Sequence, residues 1–400
     1  MGILNVLSFK YLQKILPRLY SVLPFFLNPR TAFPPAHAFF EVTYRCNLRC
    51  DMCHFLEIIE DTENNKTYRN ELSTEEIKRA IDALPRFTLI TFTGGEAFMK
   101  RDFMEILRHA ASRHKVHVIT NGTLFTESVV DQLMDIRLKS VFGSGLFYVG
   151  VSLEGDEELH DRVTTIPGSF RKTRTGLERL VQARKSMGSR FPLIHLTCVI
   201  GYDNLMDLVP LYNYAEKLGV NVCNYVLNNP STYWHGKNYD QDHFLRKPTP
   251  EVEEIDPVDL KGQLDLLIWK SKSYNSGLRF SPNYITPEEI VRYYSNRSSY
   301  KDYRCYIPWT KVAVSGYGDV FSCPHFRMGS VHEGKDPMDW NSGRAKEFRE
   351  LLKKEKIFPG CLGCCQSEYV GQQDDTRVMI GSEIFAKHPE RIEKKMAVVK

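Results

Sequence analysis

The stretch Cys46-Asn-Leu-Arg-Cys50-Asp-Met-Cys53 places three thiols on one short loop, spaced C-x3-C-x2-C. A cubane of four irons needs four ligands, so a three-cysteine loop leaves one iron open to something that is not protein. The alternative is a structural zinc loop, which usually shows paired C-x2-C knuckles and a fourth ligand nearby. His54 follows the last cysteine and could be that ligand, so the loop alone leaves both readings open.

Around this loop, apolar runs alternate with helical patterns after the break at Pro34-Pro35. Strands are expected at 38–43, 88–93, 116–120, 147–153, 193–200 and 220–227. Helices are expected at 73–84, 103–112, 127–136, 170–187 and 205–218. The first of these has Ser73 as N-cap with Glu76 three residues on, and the last is closed by Gly219. About six β/α units imply a parallel sheet with helices outside it. From residue 228 to 304 the alternation stops, leaving one helical pattern at 260–271 in a Tyr-, Pro- and Asn-rich connector that is expected to supply substrate contacts.

Three turns follow predicted strands in chain order: Gly94-Gly95-Glu96, Thr120-Asn121-Gly122-Thr123 and Ser152-Leu153-Glu154-Gly155. Each is unremarkable alone, since Asn-Gly and Gly-Gly are common turn dipeptides. With the cysteine loop upstream of all three, residues 36–230 resemble the radical S-adenosylmethionine (SAM) family. The resemblance implies α/β architecture, a partial (β/α)6 barrel, with the active site at the carboxyl ends of the strands. It also implies a 4Fe–4S cluster on Cys46, Cys50 and Cys53 whose open iron is chelated by SAM. Gly94, Gly95, Glu96, Thr120, Asn121, Ser152 and Glu154 would contact SAM, with the Glu96 carboxylate on the methionine ammonium. The sequence departs from the family pattern at Ala97, where Pro is usual, and at Glu154, where Asp is usual. Met52 takes the place of an aromatic and could pack on the adenine. By this resemblance an external one-electron donor of flavodoxin or ferredoxin type reduces the cluster. SAM is then cleaved to methionine and a 5′-deoxyadenosyl radical, which abstracts hydrogen from the substrate.

A second cysteine group reads Cys305-x17-Cys323-x37-Cys361-x2-Cys364, with Cys365 adjacent. The run Cys305-x12-Gly318-x4-Cys323 resembles the opening of the SPASM and Twitch auxiliary-cluster domains. No cysteine follows Cys365, so the shortened Twitch type is implied, with four cysteines fully ligating a second 4Fe–4S cluster. A four-cysteine zinc site remains the alternative here. Val312–Val314 and Val320–Ser322 suggest a hairpin between the first two ligands. His325 is expected at the surface or behind the ligands. A fully ligated cluster has no open iron, so its natural role is to take an electron, favouring oxidation or cross-linking of the substrate. Cys198 and Cys223 lie inside predicted strands and read as core thiols.

With ten cysteines mostly in these two groups and 400 residues to bury a core, no disulfide framework is expected. Thiolate ligands suit a reducing compartment, so the cytoplasm is the expected location. Residues 1–40 contain Lys10, Lys14, Arg18 and Arg30 and no acidic residue, leaving 49 basic against 49 acidic residues elsewhere. A balanced body argues against nucleic-acid binding. The basic stripe of residues 1–30 on an apolar helix fits either an amphipathic helix at the inner membrane surface or one docked on the chain's own body. The expected segments are 1–35, the radical SAM core 36–230, the connector 231–304, the auxiliary domain 305–371 and a tail 372–400. The substrate is expected to be a small molecule, lipid or lipid-linked. A peptide maturase is the competing enzyme, and a non-catalytic zinc or iron–sulfur protein the reading of another class.

Overall fold

The computed structural model describes residues 19–20, 23–60, 70–230, 248–333 and 338–371. Its strands are β1 (His37–Glu41), β2 (Leu89–Thr93), β3 (Lys115–Thr120), β4 (Gly145–Ser152), β5 (Leu193–Ile200) and β6 (Val222–Leu227). They continue as β7 (Gly277–Ser281), β8 (Tyr303–Arg304), β9 (Lys311–Val314), β10 (Asp319–Cys323), β11 (Phe326–Ser330) and β12 (Glu368–Tyr369). Ten of them form one sheet in the order β11-β10-β9-β1-β2-β3-β4-β5-β6-β7. From β1 to β7 each strand pairs in parallel with the next. Parallel neighbours need a crossover, and the helices Thr74–Asp82, Phe103–Arg113, Glu127–Asp135, Ser169–Ser186, Leu208–Leu218 and Pro257–Ser271 provide it.

The strands are two-faced because side chains alternate. On β5, Ile194, Leu196, Cys198 and Ile200 are fully buried, and they join Leu107, Leu133, Leu180 and Leu211 of the helices in one core. The expected core thiols Cys198 and Cys223 both lie in it. Burying each such Leu or Ile contributes about 1.5–3 kcal/mol. Ser73 caps the helix Thr74–Asp82 as the capping box predicts: its hydroxyl accepts from the Glu76 N–H, and its own N–H donates to Glu76 Oε2 at 2.8 Å.

The sheet does not stop at β6. The segment expected to be a connector supplies β7, paired in parallel with β6, and the helices Pro257–Ser271 and Pro287–Tyr294. The strand is five residues long and follows the turn-like Asn275-Ser276, so its alternation of Leu278 and Phe280 around Arg279 was too short a signal to read.

The auxiliary segment is part of the same sheet. β9 pairs in parallel with β1, and β10 returns antiparallel to β9, which is the expected hairpin. Because β9 takes the free edge of β1 and β7 that of β6, the parallel strands do not close on themselves.

Residues 23–35 lie against this auxiliary segment. Phe25 is 3% exposed, with its ring edge-on to Tyr306 and Trp309. Trp309 Nε1 donates to the Pro29 carbonyl at 2.9 Å, and Trp340 Nε1 to that of Phe33 at 2.7 Å. The described end of the amino terminus is therefore docked on the chain's own body, while the basic stripe at Lys10, Lys14 and Arg18 lies outside the described residues. The tail 372–400 lies outside them as well. Among the described residues no helix is long and apolar enough to cross a membrane.

Candidate active site

The loop carrying Cys46, Cys50 and Cys53 leaves the carboxyl end of β1 and is held on three sides. The helix Glu157–Thr164, which was not expected, presents its last carbonyls to it: Arg49 N–H donates to Thr164 O at 3.0 Å and Asp51 N–H to Val163 O at 3.2 Å. The turn after β2 grips the loop's root, with Gly95 N–H donating to Thr43 O and Glu96 N–H to Arg45 O, both at 2.8 Å. The turn after β3 closes the third side. Asn121 Nδ2 donates to Asn47 Oδ1 at 3.0 Å, and Asn47 Nδ2 to Thr123 Oγ1 at 2.8 Å.

The two glycines serve this seam. A Cβ on Gly94 would lie 2.4 Å from Thr43 O, one on Gly95 2.4 Å from Arg45 O, and Gly94 has φ +127°. Lacking side chains, they let the turn lie against the backbone that leads into the cysteine loop.

Glu96 is buried and ties β2 to β3. Its carboxylate accepts from Phe98 N–H at 3.1 Å, Thr120 Oγ1 at 2.9 Å and Asn121 N–H at 2.8 Å. Burial raises its pKa while these donors oppose the rise. A carboxylate offers about four acceptor sites, so one remains for a further donor.

Glu154 is likewise buried, with Oε2 accepting from Val199 N–H on β5 at 2.8 Å. Its pKa is raised to about 7, first by burial and then by the charge of Asp51, with the Val199 hydrogen bond opposing. Its charge also acts on Cys50, which places it at the cysteine loop. Ser152 pairs with Thr197 across β4 and β5, and Met52 is half-buried between Cys50 and Cys53.

Burial pushes all three loop thiols above the ordinary thiol range; Cys53 raises Cys46 and Cys50 further, and Cys46 raises Cys50. Backbone N–H donors oppose this, Leu48 at Cys46 and Phe55 and Leu56 at Cys53, and Arg49 is the one cation that does so, at Cys46. As thiols they sit comfortably; as thiolates they need positive charge that the chain does not bring. Iron supplies such charge, so the donor set fits a cluster.

Cys305, Cys323, Cys361 and Cys364 form a second mutually interacting set, each raised by burial first and then, for the last three, by the thiols of the others. Cys305 is pushed up to about 11 and Cys364 to about 12. Cys365 acts on Cys364 and on Lys311 instead. His325, expected at the surface or behind the ligands, is buried, and its backbone N–H donates to Cys323. Among the described residues no three His, Cys, Asp or Glu side chains are gathered as a single metal ion requires.

The strand face opposite the helices carries polar residues that sequence reading passed over. His37 Nε2 lies 2.7 Å from Thr91 Oγ1, which lies 3.2 Å from His117 Nδ1. The rings of His117 and His195 are 6.2 Å apart, and Tyr148 lies 4.7 Å from His195. The available signal was a single histidine flanked by apolar residues in Val116-His117-Val118 and in Ile194-His195-Leu196.

Two sequence families match: the Radical SAM superfamily over residues 40–215, and the SPASM iron–sulfur cluster-binding domain over residues 305–365. The chain is 31% identical to the AdoMet-dependent heme synthase of Oleidesulfovibrio alaskensis, over 82% of this chain and 79% of that protein. It is 24% identical to the antilisterial bacteriocin subtilosin biosynthesis protein AlbA of Bacillus subtilis, over 83% and 68%. Identity to the Fe-coproporphyrin III synthase of Methanosarcina barkeri is 35%, but that match spans only 46% of this chain and 42% of the relative. Among solved structures, Streptococcus suis SuiB bound to S-adenosylmethionine shares the fold at a TM-score of 0.55 and 14% identity, covering 79% of this chain and 68% of SuiB.

Proposed function

The chain belongs to the radical SAM superfamily and carries a SPASM domain, and from that premise we propose a division of labour among its residues. It is an enzyme whose cofactors are SAM and 4Fe–4S clusters. In the proposal, Cys46, Cys50 and Cys53 hold the SAM-binding cluster, and Cys305, Cys323, Cys361 and Cys364 hold an auxiliary one. Bound and reduced by an external one-electron donor, the first cluster with SAM supplies a 5′-deoxyadenosyl radical able to take hydrogen from a substrate.

The observation that carries this reading is the seam joining the cysteine loop to the turns after β2 and β3. Cluster ligands and proposed SAM contacts are thereby fixed to one another by Gly95–Thr43, Glu96–Arg45 and Asn121–Asn47. Such fixing matters because a hydrogen transfer succeeds only from a near-attack geometry. Glu96 keeps one acceptor site for the methionine ammonium. Asn121, Ser152 and Met52 edge the same end of the sheet, and the charge of Glu154, tied to Val199 on β5, acts on Cys50. Cys364 rather than Cys365 is assigned to the auxiliary set because it interacts with Cys305 and Cys361; both thiols act on Lys311.

Anaerobic reconstitution tests the proposal. About eight irons per chain and dithionite-dependent release of methionine and 5′-deoxyadenosine are expected. Stoichiometric zinc with no cleavage of SAM would refute it.

A further inference from the structure

The inner face of the sheet brings several basic groups together. Strand register sets Thr91, His117 and Tyr148 side by side on β2, β3 and β4, His37 beside Lys311 on β1 and β9, and Asn224 beside Arg279 on β6 and β7. Every charge acting on the three imidazoles is positive: Lys311 and His117 on His37, His195 and Arg279 on His117, Arg279 on His195. Burial first, then these charges, hold all three well below the ordinary histidine range, His117 at about 3 and His195 at about 4. Neutral imidazoles each keep one N–H to donate.

Arg279 and Lys311 act on each other as like charges. Arg279 donates to Asn283 Oδ1 at 3.1 Å and Lys311 to Gln366 Oε1, and among the described residues no carboxylate forms an ion pair with Arg279. Glu368 and the Cys364 and Cys365 thiols are the groups of opposite sign acting on Lys311. His117 Nε2 is buried with no hydrogen-bond partner, and a Cβ on Gly150 would come within 3.3 Å of it, so the glycine leaves that nitrogen uncovered. Of these groups the His117 nitrogen is buried without a partner, a costly state unless a ligand meets it, and the solvent-exposed Arg279 and half-buried Lys311 stand at the same face to attract an anion.

We propose that this face binds an oxyanion of the substrate, a carboxylate or a phosphate, between Arg279 and Lys311, with His117 and His195 donating to it. This names the substrate class for the radical SAM reading above and rests on it. Depth adds a dimension. His117 lies three residues before Thr120 on β3, or about 10 Å along the strand at about 3.3 Å per residue. The substrate would then be an acidic small molecule whose acidic group sits about 10 Å along the sheet from the turn at Thr120.

The test uses the reconstituted enzyme and phenylglyoxal, which modifies arginine, with the fraction modified at Arg279 read by peptide mass spectrometry. Tricarballylate and pyrophosphate are the probes, against chloride at equal ionic strength. At least one is expected to slow modification of Arg279 about tenfold, and which one does so separates a carboxylate site from a phosphate site. Lys311→Gln and His195→Gln, each with iron content intact, are expected to raise the half-protecting concentration about tenfold, while the exposed Lys172→Gln leaves it unchanged. Equal rates in all three salts, or protection untouched by both inner-face variants, would overturn the oxyanion site. 5′-Deoxyadenosine formation is measured on the same samples. Its presence without protection sinks this inference alone, and protection without it sinks the radical reading alone.

Discussion

Asn47 and Asn121 are hydrogen-bonded side chain to side chain at 3.0 Å, across a gap of 74 residues in sequence. Asn121 Oδ1 accepts from Thr123 N–H at 3.0 Å, and the Asn121 carbonyl accepts from Thr173 Oγ1 at 2.8 Å. The cysteine loop therefore takes its position from the turn after β3. Asn121→Ala removes the link while leaving every thiol in place. The expected result is unchanged iron content with SAM bound about tenfold more weakly, or about 1.4 kcal/mol, read by equilibrium binding.

Glu96→Gln tests the neighbouring tie. An amide cannot accept at both atoms, so one of the three donors now facing the carboxylate would meet an N–H instead. A loss of about 1–3 kcal/mol in chemical denaturation is expected, along with weaker SAM binding. An unchanged denaturation midpoint would mean that the carboxylate does not hold the two turns together.

The choice between adjacent thiols is open to a count of iron. Cys364→Ala and Cys305→Ala should each lower reconstituted iron from about eight to about four per chain, whereas Cys365→Ala should leave it near eight. Loss of iron from Cys365→Ala and not from Cys364→Ala would reverse the assignment.

Glu41 links stability to pH. Burial raises its pKa to about 8 despite the opposing Tyr44 hydrogen bond, against an ordinary value of 4.5. The folded chain thus binds more protons than the unfolded one between those values, so this group's contribution is present at low pH and is lost as pH rises toward 8. Glu41→Gln should flatten the fall in thermal midpoint between about pH 5 and 8. An identical slope in the variant would show that the carboxyl is not held neutral.

Phe25 tests the docked amino terminus. Its ring is packed on Tyr306 and Trp309, and Lys353 Nζ lies 3.4 Å above it. Phe25→Ala should cost about 3–5 kcal/mol by urea unfolding. A change within about 0.5 kcal/mol would mean that the segment is not anchored there.

Much of the fold was readable because its signals are local. The capping box at Ser73 and Glu76, the alternation along β5 and Gly219 closing its helix each depend on a few adjacent residues. β7 and the helix Glu157–Thr164 escaped notice because five and eight residues carry too little periodicity against turn-like flanks. In the candidate site, the cysteine spacing and the three turns are likewise short-range patterns, and they named the family.

What the sequence determined by itself was therefore the chemistry available: which thiols could share iron, and which turns could face SAM. Only the tertiary structure decided what those residues touch. Gly94 and Gly95 make room for the backbone leading into the cysteine loop, and Cys364 interacts with Cys305 and Cys361 of the auxiliary group. His37, His117, His195, Arg279 and Lys311 come from five strands and 275 positions of chain to share one face. No local pattern encodes that meeting, because contacts between parallel strands are set by crossover and register.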